Sequence, residues 1–346
     1  MKIVTIGDQF VRHEIMGQEV LKHFPDAKVS GFDTGWPIDL SKSVYKGTDI
    51  SEYDGTEEDV IEAAKDADYL VVDIAPVSKK VMEAIPNLKG IAVTRGGAVN
   101  INVEEATKKN IPVFNSPGRN LSAVAEFTVA AALAHLKNIP EANRRLKEGQ
   151  WRSDYYSFEN VGKEMSEIQV GVIGFGNIGQ QVARMFHALG SKILVYDPFV
   201  PKKVIESKGY EYAEIDEICR KCNVITLHAR VTEENVHMIG KKQIDAMTKE
   251  TLLINTARAP LVDMDALYEA LEAGRIGGAA LDVFDDEPLK KDSRYYKLDN
   301  LTMTPHIGGA SLATIKRAVN MAISDLAAYD QGKETKYCLN KEVIKK

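Results

Sequence analysis

Residues 170–179 read Val-Gly-Val-Ile-Gly-Phe-Gly-Asn-Ile-Gly, and they decide the fold. Gly174-Phe175-Gly176-Asn177-Ile178-Gly179 is a G-x-G-x-x-G turn that follows an apolar strand and opens a helix. Gly174 permits the tight turn. Gly176 has no Cβ to hold a pyrophosphate off the backbone, and Gly179 lets the helix pack closely on the strand. The phosphates then sit at the positive end of the helix. Glycines also serve plain turns, so the context matters. Ile178, Val182, Met185, Phe186 and Leu189 recur at helical spacing, and Gly190 stops the helix. The next strand, Lys192–Tyr196, runs into Asp197, at the place ~20 positions on where an acid grips a ribose 2′-hydroxyl. That carboxylate would oppose a 2′-phosphate, so the expected cofactor is NAD rather than NADP. Lys202 and Lys203 read as a solvated pair at a helix start.

Outward from this turn, apolar runs of strand length alternate with helical patterns. The expected strands of the first third are Lys2–Ile6, Lys28–Phe32, Tyr69–Ile74, Gly90–Arg95 and Ile111–Asn115, with helices such as Glu58–Lys65 and Ser78–Ile85 between them. Later come Gln169–Gly174, Lys192–Tyr196, Val224–His228, Thr251–Asn255, Gly278–Val283 and Leu301–Thr304. Strands alternating with helices make open parallel sheets with right-handed crossovers. The fold class is therefore α/β with two doubly wound domains. The turn-rich segments at 115–120 and 305–310 are the expected crossings. They give a discontinuous domain of residues 1–117 and 308–346, and a second domain of residues 118–307. Leu121–Leu136 is apolar nearly all round and is expected to be buried along a seam, with Glu126 and His135 paired or facing that seam. Ser311–Tyr329 reads as a long return helix, and the tail Lys341–Lys346 as mobile.

A chain of 346 residues is long enough for two full cores. Its net charge of −6, without a basic block, argues against nucleic acid as the main partner. The start, Met1–Gly7, reads as a strand rather than a signal peptide, and no apolar run reaches membrane-spanning length. The expected compartment is the cytoplasm, with no membrane partner. Cys219-Arg-Lys-Cys222 is formally C-x-x-C, but it lacks a second pair to complete a zinc site. It also falls late in a helix, away from the N-terminus where a thiolate is stabilised. Packing on a helix face is the expectation, and no metal is expected.

Three later segments put polar groups at strand ends, where ligands bind in open parallel sheets. Arg258 follows one strand, and a guanidinium there can hold a carboxylate in bidentate fashion. The run Asp282–Glu287 places four carboxylates within six residues at another. His306 follows a third. Singly, they read as an ion-pair residue, a solvated loop and a turn residue. Behind a nucleotide turn they fit one reaction. Interconverting a secondary alcohol and a ketone moves a hydride and a proton. Nicotinamide takes the hydride, and the proton needs a group that titrates near neutrality, such as His. A carboxylate on the other ring nitrogen fixes the tautomer, and a cation anchors the substrate.

At this point the chain resembles the D-isomer-specific 2-hydroxyacid dehydrogenases along nearly its whole length. The matching motifs are Gly174–Gly179 with Asp197, Asn255–Arg258 with Val262-Asp263, Ala280–Phe284 with Glu287-Pro288, and Thr304–Gly309. The resemblance implies a flavodoxin-like substrate domain, a Rossmann-like NAD domain, an active site in the cleft, closure by hinge motion near residues 117 and 307, and a homodimer. It makes Arg258 the residue that binds the substrate carboxylate and keto oxygen. His306 becomes the general acid–base and Glu287 its partner. The acidic run alone does not single out Glu287; the motif does. Asp282 would hold the nicotinamide carboxamide. His228, Ala229, Thr232, Thr256, Ala257 and Gly308 complete the cofactor set. Arg95, Gly96 and Gly97 match the loop whose N–H groups meet the substrate carboxylate, and Ile74 and Ala75 match the facing loop.

There are departures. Ala229-Arg230 stands where the family often has an apolar residue and Pro, so Arg230 is a further candidate for the cofactor or the cleft. Asn102 stands where Asp is common. Residues 149–156, with Trp151, Arg152 and Tyr155, lie where the family builds its dimer arm. The chain looks most like the phosphoglycerate dehydrogenase branch, without an expected regulatory domain. Arg95, Arg119, Arg152 and Arg230 would suit a phosphorylated or polyhydroxylated acid such as 3-phosphoglycerate, unless carboxylates pair with them. Glyoxylate, hydroxypyruvate and larger sugar acids stay open. The alternative of another class is an NAD-sensing binding module like the C-terminal-binding-protein corepressors, which share the fold.

Overall fold

The computed structural model describes residues 1–344. The chain forms two compact units, Met1–Arg119 with Ser311–Lys346, and Asn120–Ala310. The first boundary falls within the turn at 115–120 and the second at the end of the turn at 305–310, a few residues past the expected positions 117 and 307.

The first unit holds a parallel sheet of β1 (Lys2–Gly7), β2 (Lys28–Asp33), β3 (Tyr69–Val72), β4 (Gly90–Val93) and β5 (Val113–Phe114), in the order β2-β1-β3-β4-β5. Strands β3 and β4 are fully buried, as their unbroken apolar runs require. The helix Leu312–Asp330 covers one face, with Ile315, Val319, Ile323 and Leu326 set against Ile3, Tyr69, Ala92 and Phe114. Its N-cap Ser311 accepts from Thr314 N at 3.0 Å.

Asp8 follows β1, fully buried, and its Oδ1 accepts from the N–H groups of Phe10 and Val11 at 2.8 and 2.7 Å. Asp33 closes β2 and accepts from His13 N at 2.6 Å. Burial and the neighbouring Asp73 push the Asp8 carboxyl well up, so it keeps its proton. Burial opposes the charge on Asp73 as well, but Arg119 and the Thr94 hydroxyl outweigh it and hold that carboxyl below the usual range. Of the tail read as mobile, Lys341–Val343 form a 3-10 turn. Asn340 just before it bonds Val113 N at 2.9 Å and Ile111 O at 2.8 Å. The last two lysines, 345 and 346, lie outside the described residues.

The second unit holds seven parallel strands: β6 (Gln169–Ile173), β7 (Lys192–Tyr196), β8 (Glu211–Tyr212), β9 (Val224–Leu227), β10 (Leu252–Asn255), β11 (Gly278–Leu281) and β12 (Leu301–Met303). Their order is β12-β11-β10-β9-β6-β7-β8, so the chain reverses direction across the sheet at β6 and β9. The helix Leu121–Leu136 buries one face only. Ala125, Val129 and Ala132 pack with Phe175, Val182 and Phe186, whereas Glu126 and Ala130 are exposed. Within the single chain the outer face, with Glu126 and Ala130, is exposed, and a seam between subunits is a property of two chains rather than one. His135 bonds the Thr302 hydroxyl at 3.1 Å, and burial lowers its imidazole.

Cys219 and Cys222 are free and buried in the core, where Cys222 Sγ lies against Gly171 of β6. Burial pushes both thiols up to about 12, which leaves no reactive thiolate. No group of residues able to hold a metal ion occurs among those described, and no described helix is long and apolar enough to cross a membrane.

Candidate active site

The three glycines of the turn after β6 differ in what surrounds them. Gly174 has φ +94°, and a Cβ there would lie 2.6 Å from Ala229 N. A Cβ on Gly179 would lie 1.9 Å from Gly174 O, so helix and turn touch. Around Gly176 a Cβ meets nothing within 4 Å, and its φ is −71°. The fold makes no demand for glycine there, as expected where a ligand must approach the backbone. The helix Asn177–Ala188 has no side-chain cap at its N-terminus. Its first-turn N–H groups and dipole suit an anion. Asp197 closes β7 and grips the turn: Oδ2 accepts from Phe175 N at 2.7 Å, and Oδ1 from Phe199 N at 2.8 Å. The Phe175 ring is buried, so that residue contributes backbone alone. Lys202 sits over the Tyr212 ring at 4.0 Å.

The other candidates of this unit leave neighbouring strand ends on one edge. His228 and Ala229 follow β9, Thr256–Arg258 follow β10, Asp282 follows β11, and His306 and Gly308 follow β12. Burial pushes His228 down to about 3, and its Nε2 lies 3.0 Å from the Thr226 hydroxyl, so this ring stays neutral. The Thr256 hydroxyl meets that of Thr128 at 2.8 Å. Thr232 caps the short turn Glu233–Asn235, and Asn235 holds the Arg230 carbonyl at 2.6 Å.

Arg258 is exposed, and its loop is shaped by the buried Asn255. That carboxamide donates to Arg258 O at 2.8 Å and accepts from Ala257 N at 3.0 Å. His306 Nδ1 lies 2.7 Å from Glu287 Oε2, while Glu287 Oε1 accepts from Phe284 N at 2.8 Å. The bond to Glu287 raises the imidazole above its ordinary range, against burial and the Arg258 cation. Burial favours neutral Glu287, but its bonds from His306 and Phe284 and the two nearby cations hold it below the usual carboxylate range. The contact therefore favours a carboxylate on Glu287 and an imidazolium on His306, and Nε2 has no hydrogen-bond partner among the described residues. His306 has φ +54°, a conformation an L-residue rarely adopts. Asp282 holds it there, accepting from the Thr304 hydroxyl at 2.6 Å, Ile307 N at 2.9 Å and Gly308 N at 2.8 Å.

Ile74, Ala75, Arg95, Gly96 and Gly97 belong to the first unit, where they leave the carboxyl ends of β3 and β4. Ile74 and Ala75 are buried, and Gly96 and Gly97 are exposed. Arg95 is held by Glu52, with 2.9 Å to its carbonyl and 3.0 Å to its carboxylate. The sequence reading places Asn255 within a matching motif but gives it no role, and it misses the Glu52 contact, which nothing local signals.

The sequence profile described as D-isomer specific 2-hydroxyacid dehydrogenase, NAD binding domain, matches residues 129–308. The chain is 34% identical to a glyoxylate reductase of Korarchaeum cryptofilum over 94% of this chain and 96% of that protein. It is 43% identical to a D-3-phosphoglycerate dehydrogenase of Methanocaldococcus jannaschii over 78% of this chain, but spans about half (51%) of that relative's length. Among solved structures, D-lactate dehydrogenase of Aquifex aeolicus, complexed with NAD and lactic acid, matches with a TM-score of 0.71 at 27% identity, covering 99% of this chain and 97% of that one. Nothing in these matches supports a non-catalytic module.

Replacing Glu287 by Gln removes the negative partner, so the His306 midpoint should fall. A histidine NMR titration of the wild type and Glu287→Gln reads it directly, and coincident curves would show that Glu287 does not set it.

Proposed function

Since this chain belongs to the D-isomer specific 2-hydroxyacid dehydrogenase family, we propose that it reduces a small, unphosphorylated 2-keto acid such as glyoxylate or hydroxypyruvate. The class follows from membership: it is an NAD-dependent oxidoreductase of 2-hydroxyacids. The observation that carries the substrate reading is the loss of free positive charge. Of the four arginines that would greet a phosphate, Arg95 pairs with Glu52, Arg119 with Asp73 and Arg152 with Asp154. The likeness to phosphoglycerate dehydrogenases favours a second reading, a phosphorylated acid.

In the proposed reaction NADH supplies the hydride. Arg258 binds the carboxylate and polarises the carbonyl. His306, charged by Glu287, gives its proton from Nε2 to the forming alkoxide, and takes it back in oxidation. Gly176 and the uncapped helix end receive the pyrophosphate, Asp197 the ribose, and Asp282 the carboxamide. His228, Ala229, Thr256, Ala257 and Gly308 line the cofactor's path.

Exposed Ile139, Trp151, Tyr156, Phe158 and Val161 form a run of apolar side chains that favours a homodimer. The three unbridged cysteines fit the cytoplasm.

NADH oxidation against a panel of 2-keto acids tests the substrate. Glyoxylate or hydroxypyruvate should exceed phosphohydroxypyruvate in kcat/KM, and the reverse order would establish the second reading. Reduction needs the imidazolium, so its kcat/KM should fall as pH rises through the raised midpoint, while oxidation gains over the same range. His306→Ala should cost ~10²–10⁴-fold; a loss under about tenfold would contradict its role as acid–base. Asp197→Ala should erode the preference for NADH over NADPH, and an unchanged ratio would remove Asp197 from the ribose site. Sedimentation should give a dimer that Trp151→Ser with Phe158→Ser weakens; a wild-type monomer at micromolar concentration would exclude it.

A further inference from the structure

Gly176 has a counterpart in the first unit. Of the 25 glycines, Gly97 and Gly176 alone combine a φ outside the left-handed region with open space on every side of a Cβ. No contact or strain within the protein calls for glycine at either position. At Gly176 the reason is a ligand that must come close to the backbone, and Gly97 carries the same mark.

Around Gly97 the carbonyls are tied inward. Asn115 Nδ2 donates to Gly96 O at 2.7 Å, and Ser116 N donates to Arg95 O at 3.0 Å. In a trans peptide the C=O and N–H point in opposite directions. These two bonds therefore turn the N–H groups of Gly97 and Gly96 away from the β5 end. Neither N–H donates to any partner among the described residues. The facing loop is built the same way. Asn100 Nδ2 donates to Asp73 O at 3.0 Å and to Ala75 O at 2.8 Å, which points the Ile74 N–H outward. Both carboxamides are buried, Asn100 fully and Asn115 to within 5%. Arg119 locks the bases of the loops together, with Nη1 at 2.9 Å from Asp73 Oδ1 and 2.8 Å from Thr94 O.

We propose that Asn115 and Asn100 are positioning residues for the 2-keto acid: they hold the loop carbonyls inward and so aim the N–H groups of Gly96, Gly97 and Ile74 as its carboxylate receptor. This rests on the reading of residues 95–97 as a substrate loop. A carboxylate bound by N–H groups needs no net positive charge beside it, which agrees with Arg95 being committed to Glu52. Asn115 works by donation, so Asp, which has the same shape and only accepts, cannot replace it.

The test compares Asn115→Ala, Asn115→Asp and Asn100→Ala with Gly97→Ala, using NADH and the fastest acid of the panel. A second readout is the shift of the Gly96 and Gly97 amide resonances when oxamate is added to the NADH complex. The Asn115 variants should raise KM by at least tenfold. Their kcat should stay within threefold and their NADH affinity unchanged, and the oxamate-induced shifts should disappear. Asn100→Ala should act in the same direction, and Asn115→Ser replaces any Asn115 variant that fails to fold. Folded Asn115 variants with wild-type KM and wild-type oxamate shifts would overturn the proposal, as would a loss confined to kcat or to NADH affinity. Gly97→Ala separates the two ideas. A raised KM there with normal Asn115 variants sinks the positioning role alone. An unchanged KM with amides silent to oxamate sinks the substrate-loop reading beneath it.

Discussion

The candidate site is held together by one buried carboxylate, which the proposed proton transfer does not use. Asp282 is 2% exposed and accepts three hydrogen bonds from the turn after β12. That turn carries His306 in a left-handed conformation, whose cost of about 1–3 kcal/mol persists only where the surroundings over-determine it. With the backbone fixed, Nδ1 meets Glu287 at 2.7 Å, and the proposed proton transfer would use Nε2. The parallel sheet does the rest, because every strand ends on the same edge. Four consecutive neighbours, β12-β11-β10-β9, deliver the imidazole, its anchor, the guanidinium and the neutral His228 side by side.

Charge is distributed so that little of it is idle. Glu287 pairs with His306 and raises its imidazole, Glu52 takes up Arg95, and Asp73 takes up Arg119. Among the described residues no carboxylate pairs with the Arg258 guanidinium, which donates to the adjacent Ala257 carbonyl at 2.7 Å. The proposed recognition would thus use side-chain charge in the second unit and oriented peptide groups in the first.

The glycine turn, Asp197 and the motifs around Arg258, Glu287 and His306 were legible because each is local: a few adjacent residues in a fixed backbone shape. The long strands were legible because buried parallel strands are unbroken apolar runs. What could not be read is what depends on distant partners. Glu52 lies 43 positions from the arginine it neutralises. Asn100 and Asn115 look like loop residues, since polarity at a strand end is ordinary and only the structure shows them buried and bonded to loop carbonyls. Strand β8, Glu211–Tyr212, is too short to show a period. Leu121–Leu136 reads as apolar nearly all round, but composition reports how apolar a face is, not what covers it, and the single chain covers one face of this helix.

The two units open in the same manner, with strand, turn, helix and strand, and with a closing aspartate bonded back to the turn: Asp33 to His13 N at 2.6 Å and Asp197 to Phe175 N at 2.7 Å. They part at the turn itself. In the second unit the aspartate engages only Phe175 N of the turn, and the helix N-terminus carries no side-chain cap. In the first, Asp8 places its own carboxyl on the N–H groups of Phe10 and Val11. A fold that repeats strand, turn and helix has filled one of the two turns with its own side chain, and has left the other ahead of an uncapped helix end.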